Sequence, residues 1–326
     1  MTKPNIQKAA LILNAGGLVA FPTETVYGLG GDAENPQAIE KIFASKERPS
    51  THPLIVHIAT IDAMQHWAID IPAVAYQLAE AFWPGPLTLI LKKAPQVLFS
   101  VTGGQDTIGL RIPNHPVALA LLNAFGRGIA APSANKFTHI SPTTAAAVAA
   151  ELGNKVDLIL DGGDCQVGLE STIIDLSQTE YKILRPGMLA AKEIASVLKQ
   201  PISFTTKTSV RVPGMHELHY APRTKTICLT SDEIINFIET LSADKFPVAL
   251  ITHHAMQHPK INLVTLSDNP HEYAHDLYAT LRKLDEEHFN YILIEAVPAS
   301  EAWDAIRDRI NKASLTIPIT PQDGML

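Results

Sequence analysis

The stretch "FPTETVYGLGGDAENP", residues 21–36, carries the signals that organise the first part of the chain. An apolar run ending at Phe21 predicts a strand, the hydroxyl residues Thr23 and Thr25 follow, and three glycines come next, beginning at Gly28. Because glycine lets backbone amides close around an anion, this order is typical of an anion-binding loop. No Gly-Lys-Ser/Thr ends the run, so it is not the standard P-loop, and its positive charges must come from other segments.

Length and composition indicate an ordinary two-domain enzyme. The 326 residues are 46% hydrophobic and 18% charged, and 26 Lys plus Arg stand against 33 Asp plus Glu for a net charge of −7. That balance argues against a broad nucleic-acid surface, whose footprint is basic. The two cysteines, Cys165 and Cys228, lie far apart, which argues against a disulfide framework or a thiolate zinc site. Without a signal-peptide core or an apolar run of about 18 residues, we expect a cytoplasmic protein without membrane contact.

The order of predicted elements favours an α/β fold in two parts. In residues 1–200 several strands follow one another without a helix between them, which predicts a twisted mixed sheet. Residues 201–223 show no periodicity and are rich in proline and hydroxyl residues, so we expect a linker that also serves as a lid. Residues 224–326 alternate strands and helices regularly and predict a smaller Rossmann-like α/β domain.

A five-residue motif in the second part matches a zinc-peptidase pattern. The sequence "HEYAH", residues 271–275, has the form H-E-x-x-H, and Glu295 lies downstream at a plausible distance for a third ligand. The apolar positions of this helix, beginning with Tyr273, form a stripe that leaves His271 and His275 on the opposite side. We therefore expect both histidines to face solvent and name no metal ligand from the sequence.

Arg111 is the first candidate for a ligand contact. In "TIGLRIP", residues 107–113, the strand alternation puts Thr107, Gly109 and Arg111 on one face and apolar residues on the other. A guanidinium on a sheet face needs an anion, because an unpaired buried charge is costly. Either a bound ligand or an internal salt bridge would satisfy it, and the sequence leaves both open.

Other segments place polar residues beside predicted strands. In "KERPSTHPLIVHI", residues 46–58, a basic loop precedes a strand that ends at His57; a solvated charge cluster and a hydrogen-bonded core histidine are the simpler interpretations. In "APSANKFTHISPTTAAAV", residues 131–148, Ser141 and Pro142 open an alanine-rich helix predicted over 142–152. Ser141 is suited to cap that helix, and a helix start also attracts anions.

Taken together, these segments resemble one family. The strings "FPTETVYGLG", "KERP…HPLIVH", "WPGPLTLIL", "GLRIPNHP", "APSAN…SPTTA", "GLESTIID" and "LRPG" follow in order over residues 18–187 and resemble the YrdC-type domain of threonylcarbamoyl-AMP synthase. The string "PGM…HYAP" at 213–222, followed by an α/β domain, is similar to the long, two-domain form of that enzyme. Two departures are Glu47, where the family often has glycine, and the His-Glu-Leu run at 216–218, where it usually has a more basic, aromatic stretch.

The resemblance implies an L-threonylcarbamoyladenylate synthase, a nucleotidyltransferase. It would condense L-threonine, bicarbonate and ATP into threonylcarbamoyl-AMP and pyrophosphate, for threonylcarbamoyladenosine modification of tRNA. The resemblance also implies a YrdC-like fold around a basic cleft and Mg²⁺ carried with ATP, whose protein ligands we do not name. It leaves open a weak contact with tRNA or with the downstream transferase.

The resemblance also implies site residues, position by position. The residues expected to have catalytic roles are Lys46, Arg48 and Arg111. The residues expected to bind L-threonine are Thr25, His57, Arg111, Ala131 and Ser171. The residues expected to bind ATP are Lys46, Arg48, His52, Thr107, Ser133, Ser141, Arg185 and, in the linker, Tyr220.

The alternative to an enzyme, from a different functional class, is a module that binds structured RNA. The acidic total and the lack of aromatic platforms argue against it. Pyrophosphate release that requires both threonine and bicarbonate distinguishes the enzyme from that module.

Overall fold

The computed structural model describes residues 5–205, 208–215, 219–254, 256 and 261–315. The chain divides into two compact units: one comprises residues 1–137 and 141–215, and the other comprises residues 138–140 and 216–326. The residues at 216–218 that depart from the family pattern lie outside the described part of the chain.

The first unit is built on a mixed sheet, as predicted. Among the described residues the sheet has eleven strands, in the order β11-β10-β9-β5-β6-β3-β7-β2-β1-β8, with β4 paired to β5. The strands are β1 (Val19–Phe21), β2 (Gly28–Asp32), β3 (Ile55–His57), β4 (Ala68–Ile69), β5 (Leu87–Lys93), β6 (Thr107–Arg111), β7 (Ile129–Ala130), β8 (Leu158–Ile159), β9 (Thr172–Asp175), β10 (Lys182–Arg185) and β11 (Ser203–Phe204).

Helices pack their apolar faces on this sheet to form the main core. Of these helices, all in the described part of the chain, four begin at a residue whose side chain accepts a backbone amide of the first turn; Asn35, for example, caps α2, which has proline at its first position. The helices are α1 (Ile6–Asn14), α2 (Pro36–Lys46), α3 (Met64–Trp67), α4 (Ala73–Phe82), α5 (Phe99–Thr102), α6 (Pro116–Phe125), α7 (Ala145–Leu152) and α8 (Ala191–Leu198).

The glycine run of the opening stretch forms a strand, so its prediction as an anion-binding loop is wrong. Gly28, Gly30 and Gly31 belong to β2, which is buried along its length and pairs antiparallel with β1. A Cβ on Gly30 would come within 2.8 Å of the side chains of Phe21 and Ile129. These glycines are therefore needed for close packing rather than for holding an anion.

The alanine-rich helix α7 begins later than predicted. Its cap is Thr144, whose hydroxyl accepts a backbone amide of the first turn, and the first helical residue is Ala145 rather than Pro142. The carbonyl of Pro142 accepts the amide of Tyr27, which ties the preceding residues to another loop. The prediction that Ser141 caps this helix is wrong, and the Ser141 hydroxyl is left for another role.

Part of the predicted linker belongs to the first unit. Residues 208–215, which we call the strap, bring Val210 and Val212 onto apolar side chains of the sheet. Arg211 fixes the strap, since its amide donates to the side chain of Gln105 at 2.6 Å and its guanidinium to the carbonyl of Gly103 at 2.8 Å. The boundary between the units therefore falls after residue 215, inside the predicted 201–223 segment.

The second unit is a small parallel α/β domain. Its described strands lie in the order β12-β15-β13-β14, and all of its strand pairs are parallel, as the alternation of elements predicted. Its strands are β12 (Lys225–Leu229), β13 (Val248–Thr252), β14 (Ile261–Thr265) and β15 (Tyr291–Glu295), and its helices are α9 (Ser231–Thr240), α10 (Pro270–Glu286) and α11 (Asp304–Ala313).

The H-E-x-x-H histidines lie outside the core of this domain, as the helical pattern predicted. The apolar stripe of α10 is buried, beginning with Tyr273, whereas His271 is exposed. His275 is partly exposed and its Nδ1 lies 2.7 Å from a carboxylate oxygen of its neighbour Asp276. The pair therefore does not converge with Glu295 on a peptidase zinc site.

Glu47 occupies a backbone conformation that favours glycine. It follows α2 with a φ of 55°, and its exposed carboxylate lies 2.8 Å from Lys155 and 3.3 Å from Lys136. A side chain in the left-handed region costs about 1 kcal/mol, whereas exposed ion pairs contribute less.

We therefore predict that Glu47→Gly raises the free energy of unfolding by roughly 0.5–1 kcal/mol, measured by urea denaturation. Glu47→Ala is the matched control, because it removes the same carboxylate but keeps the Cβ; it should be less stable than Glu47→Gly. Equal free energies of unfolding for Glu47→Gly and Glu47→Ala would contradict the claim that the gain comes from the backbone conformation of residue 47.

Candidate active site

A buried ion pair lies at the centre of the site. Nη1 of Arg111 donates to the hydroxyl of Thr25 at 2.9 Å, and its Nε donates to the carbonyl of Gly85 at 3.2 Å. Nη2 lies 2.8 Å from Oε2 of Glu24, so the internal salt bridge that the sequence left open is present. Nη2 and both carboxylate oxygens nevertheless lack a hydrogen-bond partner among the described residues, which shows that the two groups are close but poorly aligned.

The turn after β1 presents Glu24 and Thr25 to Arg111. The hydroxyl of Thr23 donates to the carbonyl of Val26 at 2.7 Å and accepts that residue's amide, which closes the turn. The hydroxyls of Thr23 and Thr25 lie 2.8 Å apart. Since the Thr23 proton is donated to Val26, the Thr25 hydroxyl donates to Thr23 while its oxygen accepts from Arg111, and these contacts fix both polar groups.

Sheet register places His57 beside Arg111. The two residues end the parallel strands β3 and β6 and are direct partners in the ladder. The pKa of His57 is lowered to about 3, mainly by burial and secondarily by the positive charge of Arg111. The imidazole is therefore neutral at physiological pH, and its buried Nδ1 has no hydrogen-bond partner in the described part of the chain.

Ala131 and Ser171 lie on neighbouring segments. The amide of Ala131 donates to the carbonyl of Ile55, on the strand that carries His57. The hydroxyl of Ser171 lies 2.8 Å from that of Thr88, on the strand next to Arg111. The structure thus brings the predicted threonine-binding residues onto adjacent strands and turns of one sheet.

Arg185 connects Ser171 to the strap. Its Nε and Nη2 both donate to the carbonyl of Ser171, at 3.1 and 2.9 Å, and Nη2 also reaches that residue's hydroxyl. Nη1 donates to the carbonyl of Pro213 at 3.1 Å. One buried guanidinium therefore joins a site residue to the strap.

Lys46 is buried and holds a loop. Its ammonium donates to the carbonyl of Ser133 at 2.5 Å and to that of Asn135. The pKa of Lys46 is lowered well below its usual value, mainly by burial and secondarily by the positive charge of Arg48. A bound anion would favour the charged form, so ligand binding and the protonation of Lys46 are linked.

The other basic loop residues lie near the same end of α2. Nη2 of Arg48 donates to the carbonyl of Pro53 at 2.9 Å, and the ring of His52 packs edge-on against Phe137 at 5.2 Å.

Ser141 is fully buried and donates its hydroxyl to Glu170 at 2.5 Å.

Thr107 lies away from this cluster. It begins β6, the strand that Arg111 ends, and is four positions from Arg111, about 13 Å along the strand. Tyr220 belongs to the second unit, where it is buried with its ring stacked on Tyr278 and beneath the guanidinium of Arg309. The roles of both residues in ATP binding stay predictions.

The sequence reasoning missed the two carboxylates of the site. Glu24 stands between two threonines directly after a buried strand, and Glu170 directly precedes Ser171. The sequence did indicate that such partners must exist, because a buried Arg111 needs an anion and a buried Ser141 needs a hydrogen-bond partner. What could not be read from sequence was which of 33 acidic residues would meet them.

This arrangement suits a small zwitterion next to a polyanion. Arg111 and Glu24 offer a positive and a negative group with unused hydrogen-bonding capacity, and neutral His57 adds a polar contact without charge. Arg48 and Arg185 supply positive charge from other segments, and Lys46 supplies it when protonated. The two ends of an amino acid are complementary to such a pair.

Comparison with known proteins identifies the class. A family model described as "Telomere recombination" matches residues 11–187, and one described as "Threonylcarbamoyl-AMP synthase, C-terminal domain" matches residues 189–314. Together they account for both units of an α/β enzyme. The chain belongs to the threonylcarbamoyl-AMP synthase family, as its motifs predicted.

Full-length relatives agree with this assignment. A threonylcarbamoyl-AMP synthase of Pyrococcus abyssi is 39% identical over 95% of this chain and 94% of its own, and one of Bacillus subtilis is 37% identical over 95% and 93%. The crystal structure of P. abyssi Sua5 complexed with L-threonine is 38% identical with a TM-score of 0.87, covering 95% of this chain and 94% of that one. The predicted fold class is confirmed. Among the described residues, no helix has the length and apolarity needed to cross a membrane.

His57 provides a pH-dependent test of this geometry. Because its pKa is lowered in the folded protein, the unfolded chain binds the proton more readily below about pH 6.5. The stability contributed by neutral His57 is therefore fully present above pH 6.5 and is lost as the pH falls towards 3.

We predict that the wild type loses about 2.5 kcal/mol more stability than His57→Gln between pH 7 and pH 4.5, measured by urea denaturation at each pH. His271→Gln, an exposed histidine, is the control and should follow the wild type. Parallel pH curves for the wild type and His57→Gln would contradict a buried neutral imidazole.

Proposed function

We propose that this chain is an L-threonylcarbamoyladenylate synthase that condenses L-threonine, bicarbonate and ATP, with pyrophosphate as the second product, and so serves threonylcarbamoyladenosine formation in tRNA. The observation that supports this most is the buried Arg111–Glu24 pair, whose unused donors and acceptors match an α-amino acid. In this proposal the threonine carboxylate binds Arg111 and its ammonium binds Glu24.

The reaction needs threonine as a free amine. We propose that Glu24 accepts a hydrogen bond from the ammonium and takes part in its deprotonation, since only a neutral amine can attack carbon dioxide or bicarbonate. Attack on bicarbonate forms the N–C bond of a carbamate and releases water. A carbamate oxygen then attacks the α-phosphorus of ATP in line, the bond to the β-phosphate bridge breaks, and pyrophosphate leaves.

The basic residues neutralise the triphosphate in this proposal. Arg48 and Arg185 supply guanidinium groups, and Lys46 supplies charge while it holds the loop carrying Ser133. Positioning and charge stabilisation therefore account for catalysis, with no covalent enzyme intermediate.

Magnesium accompanies ATP in this scheme. Of the two buried carboxylates of the site, Glu24 pairs with Arg111 and is assigned to the threonine ammonium, and Glu170 accepts the Ser141 hydroxyl. We therefore assign no protein ligand to Mg²⁺ and expect phosphate oxygens and water to hold it.

Pyrophosphate release provides the direct test of the activity. The wild type should release pyrophosphate from ATP only when both threonine and bicarbonate are present. Arg111→Ala should lower kcat/KM for threonine by about 10- to 150-fold, which corresponds to the loss of a charge-assisted contact. Release that is independent of threonine would contradict the proposal.

Two further variants separate the role of Arg111 from folding. Arg111→Lys keeps the charge beside Glu24 but cannot bind a carboxylate in bidentate fashion, so it should fold and still show a raised KM for threonine. Arg223→Ala removes an exposed arginine and should leave the kinetics unchanged. A normal KM for threonine in folded Arg111→Lys would argue against direct contact.

A second part of the proposal concerns the strap. Val210 and Val212 pack on Ile55 and Ile173, which lie two residues from His57 and Ser171 and therefore on the same face of the sheet. We propose that this segment keeps water from the reactive adenylate.

We predict that Val210→Ala together with Val212→Ala loosens the strap, since each truncation removes roughly 1.5 kcal/mol of apolar burial. The variant should release more pyrophosphate per intact threonylcarbamoyl-AMP, measured by quantifying both products. Ile235→Ala, an exposed apolar residue, is the control. An unchanged product ratio would rule out the shielding role.

A further inference from the structure

A cluster of two histidines and a glutamate lies in the second unit and shares no residue with the site described above. His253 and His254 follow β13, and Glu295 ends the adjacent parallel strand β15. Their nearest ligand atoms all lie within 4.8 Å of one another. The sequence had suggested Glu295 as a third ligand for the wrong histidines, those of the H-E-x-x-H motif; the fold brings it to a different pair.

The cluster occupies the place in this fold where ligands usually bind. In the sheet order β12-β15-β13-β14, the chain leaves β13 towards β14, at one edge of the sheet. It leaves β15 towards α11, which packs on β12 at the opposite edge. The connections diverge between β13 and β15, and in open parallel sheets the crevice outside the carboxyl ends of two such strands is a ligand site. Glu295 and both histidines lie at that crevice.

The separations fit a tetrahedral metal ion. Oε2 of Glu295 lies 3.3 Å from Nδ1 of His253 and 3.2 Å from Nδ1 of His254. Ligands bound to zinc at about 2.0–2.1 Å in a tetrahedron are roughly 3.3–3.4 Å apart. The carboxylate and the imidazoles therefore already have nearly the spacing that coordination requires.

The histidine contact with Glu295 is not a hydrogen bond. Nδ1 of His253 is buried and has no hydrogen-bond partner among the described residues, despite its 3.3 Å separation from Oε2. A protonated imidazole held only as an ion pair would direct its N–H at the oxygen. Nδ1 of His253 is therefore left without a hydrogen bond, and a metal ion shared with Glu295 would give it a partner.

Surrounding hydroxyls orient the carboxylate. Ser231 donates to Oε1 at 2.7 Å and Thr252 to Oε2 at 2.5 Å, while the amide of His253 donates to Oε2 at 3.3 Å. Glu295 itself is 1% exposed, so its charge needs compensation that neutral hydroxyls give only in part. Hydrogen-bonded carboxylates of this kind are typical around metal ligands.

We propose that His253, His254 and Glu295 bind a divalent transition-metal ion of the zinc type. Two imidazoles and one carboxylate suit zinc, cobalt or nickel rather than magnesium, which prefers oxygen ligands. The side chain of His254 is 49% exposed, so the proposed site can be reached from solvent, and water would complete the coordination. This site is independent of the threonine and ATP site proposed above.

Titration of the full-length, metal-stripped protein with Zn²⁺ and with Co²⁺ tests the site. We expect one ion per chain by calorimetry and visible Co²⁺ absorption bands of four-coordinate geometry, neither displaced by millimolar Mg²⁺. His254→Ala changes a half-exposed residue and should fold, as checked by its thermal melt, and should weaken Zn²⁺ binding at least tenfold. Glu295→Gln should do the same.

A matched control excludes adventitious binding by surface histidines. His271→Ala with His275→Ala removes a pair spaced i, i+4 on α10 that could hold zinc weakly, and this variant should bind Zn²⁺ like the wild type. The proposal is overturned if His254→Ala binds Zn²⁺ as tightly as the wild type, or if the α10 double variant abolishes binding. Absence of stoichiometric Zn²⁺ and Co²⁺ binding by the wild type would also overturn it and leave an ion-pair cluster only.

Discussion

The need to compensate the buried charge of Arg111 constrains the whole site. A guanidinium at the end of a central strand must meet an anion and several acceptors, and Glu24, Thr25 and Gly85 provide them from two different loops. His57 lies in register with Arg111, and burial, followed by the positive charge of Arg111, lowers the pKa of His57 and keeps its imidazole neutral. The pair is close without being fully hydrogen-bonded, and the proposed contact with an amino acid rests on that unused hydrogen-bonding capacity.

The remaining basic residues act through the segments that they hold. Lys46 binds carbonyls of the loop around Ser133, and Arg185 joins Ser171 to the strap at Pro213. Positive charge is thus distributed over loops that come from distant parts of the chain. Covering the same sheet face with the strap also lowers the local exposure to water, which strengthens each of these electrostatic contacts.

Patterns that depend on local periodicity were readable from the sequence, and contacts between distant segments were not. Strand alternation predicted the face of Arg111, and the helical stripe predicted that His271 and His275 lie outside the core. The glycine run was misread because glycines in a turn and glycines in a closely packed strand look alike until the neighbours, here Phe21 and Ile129, are known. Glu24 and the meeting of Glu295 with His253 required the tertiary structure, since charge pairing leaves no mark on local periodicity.

A crystal structure of this protein with bound L-threonine tests the central claim most directly. The account predicts the threonine carboxylate within about 2.7–3.2 Å of Arg111, the nitrogen of threonine against Glu24, and His57 alongside. An undisturbed Arg111–Glu24 pair, with the threonine carboxylate held by other residues, would contradict it.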